Sequence, residues 1–353
     1  MRWPSRWSWY ALALSALLIS GSAVAPPSPA GLRAPVGTAA PASTTSPAST
    51  ATRAATPAPA TTPAPASTTS PASTPPADPA AAGPRICTSP DQPALAAALS
   101  RRIAKALSGT EATVALAVDD SDQDFRCRFH QWQEFHSASV IKVITLGALL
   151  YQLQEAHESL DSYQDALATA MITQSDNDAQ DELWNDIGMP ALQAFVNAAR
   201  MDHTVLGQDD YWGLTEVNAH DELRLMQLLI THNPVLDTAS RHYALRLMAE
   251  VISGQRWGVS AGAPPDTTVH IKDGWLPDPD LWDINSIGDF TRQDRDYSIV
   301  ILTSNDPDMA YGVDTVEAIA RLINKALAQA DADAPAAPEP YHHLLYMQRR
   351  FLS

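Results

Sequence analysis

The chain has 353 residues and a net charge of −17, and it carries 28 prolines, fifteen of them between Pro26 and Pro84. Residues 1–84 hold four arginines and one acid, Asp78, leaving 19 basic and 39 acidic residues in 85–353, a balance of −20. A body this acidic repels phosphate backbones, which disfavours nucleic acid, and it lacks the polybasic patch of a peripheral membrane protein.

The first 25 residues read as a secretory signal: Arg2 and Arg6, an apolar run from Tyr10 to Ile19, and the small-residue cleavage site Ala23-Val24-Ala25. The run is too short for a stable membrane anchor, which needs about 20 apolar residues. Export implies an oxidising compartment, so Cys87 and Cys127, the only cysteines, are expected to form one disulfide. Residues 26–84 are almost entirely Pro, Ala, Ser and Thr, and PASTTSPAST at 41–50 recurs at 65–74. Such a composition cannot bury enough apolar surface to fold, and its prolines favour an extended spacer. It reads equally as a stalk that holds the body off a membrane or wall and as a linker with no partner.

After Pro84 the spacing of Leu95, Leu99, Ile103 and Leu107 predicts a helix over 91–107. Strands are predicted at 113–119 and 125–132, the second carrying Cys127. A helix-rich stretch follows from Ser137 to about Val251, then strands at 268–275, 283–290 and 297–303, and a closing helix at 313–330. This order suggests a two-lobed α/β (α+β) body over 85–330: an antiparallel sheet flanked by terminal helices, with an all-helical lobe inserted. Residues 331–353 form an Ala/Pro-rich tail ending near Tyr341-His342-His343-Leu344-Leu345-Tyr346.

Three short motifs carry the chemistry. Ser139-Val140-Ile141-Lys142 opens a helix that is apolar almost all round, so it is buried. Serine and lysine at i and i+3 share a face, and burial together with the helix dipole lowers the lysine pKa, making Lys142 a base and Ser139 an activated nucleophile. In Ser175-Asp176-Asn177, a serine between helices can relay a proton, and an asparagine can pair with a substrate amide; the other reading is a plain helix N-cap. Lys272-Asp273-Gly274, with Trp275, ends a strand at which lysine can attract an anionic substrate and glycine permits close approach; the other reading is a surface lysine by a turn. Two of the only four lysines, Lys105, Lys142, Lys272 and Lys325, fall inside these motifs.

With that order of motifs, and with Met171-Ile172-Thr173-Gln174-Ser175-Asp176-Asn177-Asp178-Ala179 close to a typical IT-x-SDN-x-A run, the chain over roughly 90–330 resembles the class A β-lactamase and penicillin-binding protein superfamily. Gly254 to Val259 and Asn285 to Gly288 are similar to secreted actinobacterial members. The resemblance implies an acyl-enzyme on Ser139, Lys142 as base or proton carrier, Ser175 as relay, Asn177 holding a substrate amide, Lys272 attracting a carboxylate, and an oxyanion hole from the N–H groups of Ser139 and Trp275. It implies no cofactor or metal, a monomer, and a β-lactam or peptidoglycan-peptide-like substrate. The alternatives are a DD-peptidase-like wall enzyme and a non-catalytic binding protein that kept the fold.

The chain departs from the family in three ways. Asp273 stands where threonine or serine is usual, and if it faces the cleft it repels substrate carboxylates. Only 36 positions separate Ser139 from Ser175, fewer than in a typical class A enzyme. The deacylating glutamate context E-x-x-L-N is absent. Asp209 and Asp210, then Glu216, are the nearest carboxylates able to take its place. The ten histidines show no zinc spacing, and His136 reads as a pocket or core residue.

Overall fold

A computed structural model describes residues 85–208, 211–278, 280–292 and 295–333. The signal, the linker, the tail beyond 333, and Asp209 and Asp210 lie outside the described residues. No described helix is long and apolar enough to cross a membrane.

Eight strands and seven helices follow in chain order: β1 (Cys87–Thr88), α1 (Pro93–Leu107), β2 (Thr113–Asp120), β3 (Phe125–Phe129), β4 (Glu134–His136), α2 (Ile141–Ala156), α3 (Ser162–Thr173), α4 (Asn177–Ala198), β5 (Glu216–Asn218), α5 (Ala219–Ile230), α6 (Thr238–Ala249), β6 (Thr268–Asp278), β7 (Leu281–Arg292), β8 (Arg295–Asp306) and α7 (Met309–Asp333). Six strands form one antiparallel sheet in the order β1-β3-β2-β8-β7-β6. α1 and α7 pack against each other, and α7 lies on β7 and β8; α5 lies on β2, β7 and β8, with α6 against β6. The antiparallel sheet with terminal helices and an inserted lobe is therefore as expected.

Some details differ from the sequence reading. The inserted lobe is not all-helical, because β4 and β5 pair as a short ribbon with His136 opposite Glu216. The strand predicted to reach Trp132 stops at Phe129: His130 takes a left-handed φ of 44° and Gln133 N–H closes a turn on its carbonyl. Within the helix-rich stretch, α4 runs from Asn177 to Ala198, but at Gly188 the backbone leaves the helix (φ 73°, ψ 154°), with Pro190 just beyond. Glycine permits that conformation, and proline restarts the helix, so two helices run in tandem.

Burial explains the elements. In α2 every residue from Ile141 to Leu150 is buried, which suits its apolar composition and places it at the centre of the lobe, packed on α4. The sheet core is the apolar alternation of Val114, Leu116 and Val118 in β2 against Ile299 and Ile301 in β8. Cys87 pairs in register with Cys127, and the two form the disulfide. It closes a loop with a sequence separation of 40, worth about 4 kcal/mol on a chain-entropy account.

Candidate active site

Ser139 sits in a single turn of 3-10 helix, Ala138–Val140, immediately before α2. The turn is pinned from three sides. Ser137 N–H donates to Thr215 O (2.8 Å), and Asn285 Nδ2 in β7 donates to His136 O (2.8 Å) and Ser137 O (3.1 Å). On the third side β6 passes so close that a Cβ on Gly274 would lie 2.8 Å from Ser139 N and 3.0 Å from Ser137 O. These neighbours are backbone and cannot swing aside. Gly274→Ala is thus expected to push β6 off the Ser139 turn, lowering both the melting temperature and any reaction at Ser139; a variant that keeps wild-type values of both would contradict the packing.

The Ser175 motif lies between α3 and α4. Asp176 is the α4 N-cap, its carboxylate accepting from Ala179 N–H at 2.8 Å. The capping alternative thus holds for Asp176 and leaves Ser175 and Asn177 for other work. Ser175 adopts a left-handed φ of 57°, a strained state for a non-glycine residue. Both its carbonyl and its hydroxyl meet Lys142.

Lys142 is fully buried, and its Nζ donates to Asn177 Oδ1 (2.7 Å), Ser175 O (2.7 Å), Ser175 Oγ (3.1 Å) and Ser139 Oγ (3.2 Å). Lys272, also fully buried, donates to Ser175 Oγ (3.0 Å) and to the carbonyl of Asp273 (2.7 Å). The result is one unbroken line, Ser139 Oγ to Lys142 Nζ to Ser175 Oγ to Lys272 Nζ. Ser139, Ser175, Asn177 and Trp275 are each half-buried, so the line opens to solvent along one side. Burial pushes the Lys142 amine well below the ordinary lysine range, and the positive charge of Lys272 pushes the same way; Asp176 and Asp181 oppose it. Burial likewise lowers Lys272, partly offset by Asp273.

Asp273 is placed differently from the expectation that it borders substrate. Neighbouring strand residues point to opposite faces, and Lys272 takes the face toward Ser175. Asp273 takes the other, where Ser286 Oγ donates to Oδ1 (2.5 Å) and Trp257 N–H donates to Oδ2 (3.2 Å). It is 1% exposed, hence neither a cleft acid nor a surface acid. The Trp275 ring packs beside that of Trp257, with centroids 6.1 Å apart. Glu216 is exposed in β5, and His136 binds Asp283 through Nδ1 at 3.0 Å. Among the described residues there is no group of three or more histidines, cysteines or acids able to hold a metal ion.

Two residues that sequence reasoning missed join the site. The Trp212 ring lies over Lys142, with Nζ 5.1 Å from the ring centroid, and its indole N–H donates to Asp181 Oδ1 at 2.6 Å. Asp181 is one helical turn past Asn177, a spacing that could have drawn attention to it. For Trp212, in the 3-10 turn Trp212–Leu214, no sequence signal was available.

The family model describing the β-lactamase enzyme family matches residues 163–327. That match and the fold make the domain similar to the β-lactamase and penicillin-binding superfamily. Solved structures with this fold include a class A β-lactamase from Bacteroides cellulosilyticus (18% identity, TM-score 0.60, 69% of this chain and 99% of that chain) and one from Chitinophaga pinensis (18%, 0.59, 65% and 99%). PBP-A, in its acyl-enzyme complex with penicillin G, aligns at 17% identity with a TM-score of 0.57, over 65% of this chain and 96% of that chain. No curated protein matches significantly in sequence. At these identities the superfamily fold is common to all of them, and the chemistry of this β-lactamase-like domain rests on its own residues.

Proposed function

We propose that the domain is an exported serine hydrolase that forms an acyl-enzyme on Ser139 with a β-lactam or a peptide-like amide. The observation that carries this reading is the hydrogen-bonded line through Ser139, Lys142, Ser175 and Lys272, centred on a lysine whose burial favours the neutral amine. Neutral Lys142 takes the Ser139 hydroxyl proton as Oγ bonds to the carbonyl carbon. The Ser139 and Trp275 N–H groups are assigned to the oxyanion. The proton then moves by way of Ser175 to the leaving nitrogen as the C–N bond breaks, and the acyl group stays on Oγ. Asn177 spends Oδ1 on Lys142, which leaves its Nδ2 donors for a substrate carbonyl. Lys272 supplies the positive field for a substrate carboxylate.

Export is supported by the signal-like start of the chain and by the Cys87–Cys127 disulfide. A DD-peptidase-like wall enzyme is the second reading, and the missing E-x-x-L-N context favours it over a fast β-lactamase. The decisive experiment is mass spectrometry of the exported chain after incubation with penicillin G. The expected result is a single adduct that maps to the peptide containing Ser139; an unmodified chain, or an adduct elsewhere, would sink the proposal.

A further inference from the structure

The indole of Trp212 spans two charged groups. Its face meets the Lys142 amine, and its N–H is held by the Asp181 carboxylate. Lys142 has three N–H donors at most, and four oxygens of Ser139, Ser175 and Asn177 already surround it. The ring closes a further side of the nitrogen. Its backbone is tied down as well: Thr215 N–H closes the turn on Trp212 O (3.0 Å), Thr215 Oγ1 accepts from Gly207 N–H (3.0 Å), and Thr215 O receives Ser137 N–H from the nucleophile turn. The ring is therefore fixed relative to Ser139.

A gap with an amine on one side and a carboxylate on the other would hold a water and take its proton. We propose that Trp212 is a positioning residue that keeps water out of the gap between Lys142 and Asp181, and so makes the acyl-enzyme on Ser139 long-lived. This inference rests on the acyl-enzyme reading. With the ring removed, a water enters the gap. Its oxygen bonds to the acyl carbon while one proton passes to the Asp181 carboxylate. That proton returns by way of Lys142 to Ser139 Oγ as the C–Oγ bond breaks, and the acid leaves with the water oxygen. No other reactant is required.

The test follows the decay of the penicillin G adduct by intact mass, after excess drug is removed, in the wild type, Trp212→Ala, Trp212→Phe and the double variant Trp212→Ala/Asp181→Asn. Melting curves check the fold, and Trp212→Leu replaces Trp212→Ala if the latter does not fold. The expected result is decay about tenfold faster or more in Trp212→Ala, within about threefold of wild type in Trp212→Phe, and a return to slow decay in the double variant, since removing a general base costs about 10²-fold or more. A purely structural role for Trp212 would not be reversed by Asp181→Asn. Equal decay in the wild type and Trp212→Ala overturns this inference and leaves the acyl-enzyme reading standing. Fast decay that persists in the double variant overturns the part given to Asp181. No adduct on any of the four proteins overturns the acyl-enzyme reading and this inference together.

Discussion

Lys142→Met is expected to lower the second-order rate of acylation by roughly 10²–10⁴-fold, the usual contribution of a positioned general base, without lowering the melting temperature. The two halves of that result have one cause. Nζ is the hub between Ser139 Oγ, Ser175 and Asn177, so no other group described here can take the Ser139 proton. The same burial that lowers the pKa of the amine makes its protonated form costly to fold. Its folded pKa lies well below that of the unfolded chain, so the unfolded state binds the proton more tightly. Wild-type stability therefore rises with pH between the lowered folded value and the ordinary lysine value of about 10.4. Methionine follows the lysine side chain as far as Cε and lacks the amine, so it removes that dependence and relieves the cost. Acylation by the wild type should rise with pH as Lys142 loses its proton, then level off. Acylation rates and melting temperatures measured across pH check both statements: a methionine variant that acylates normally, or that melts well below wild type at neutral pH, would count against them.

Asp273→Thr would bring the motif into line with the usual pattern of the family it resembles, yet it is expected to destabilise the domain by about 1–3 kcal/mol, the range for leaving a buried hydrogen-bonding group without its partner, and to leave acylation unchanged or slower. The reason is the face on which Asp273 sits. Its carboxyl group accepts from Ser286 Oγ and from Trp257 N–H on the face away from Ser175, and burial pushes its pKa up to about 8, with Ser286 and Lys272 pulling the other way. Threonine cannot accept both bonds with the same geometry, and it leaves the Trp257 N–H without its acceptor. The idea that Asp273 gates substrate carboxylates by repulsion gives way to a role in holding the segment 257–259 against β6 and β7, where Ser286 Oγ also receives Val259 N–H at 2.9 Å. Urea unfolding and acylation rates of the two proteins decide it: faster acylation at undiminished stability would restore the gating idea.

Much of the site was legible because lysine is rare in this chain and each motif fits a local rule. Ser139 and Lys142 at i and i+3 must share a helix face, and the apolar run around them implies burial, as found for every side chain from Val140 to Leu150. The long strands showed themselves by alternation. Other features depend on contacts that no local pattern records. Alternation puts Lys272 and Asp273 on opposite faces, but only the packed lobe decides which face is the cleft. β4 and β5 are three residues each, too short for a periodic signal. Trp212 and Asp181 stand 31 residues apart and meet because the tandem helix and the turn after Gly207 bring the chain back on itself.

The strand order ends at β6 on the side of the cleft and at the two-residue β1 on the other. The far border is thus short and locked by a disulfide, which leaves little backbone for another chain to pair with. At the near border an eleven-residue strand keeps one row of its peptide groups unpaired by any strand. Those outward groups include the row to which the Asp273 carbonyl belongs, and in an antiparallel strand the amide two residues on, that of Trp275, points the same way. A seventh strand, the simplest protection for such a border, would occupy the space in front of Ser139. The architecture has to leave that seam open, so any extended peptide arriving there meets a ready-made pairing edge, and the domain's capacity to engage a backbone and its exposure to unwanted strand pairing are the same property.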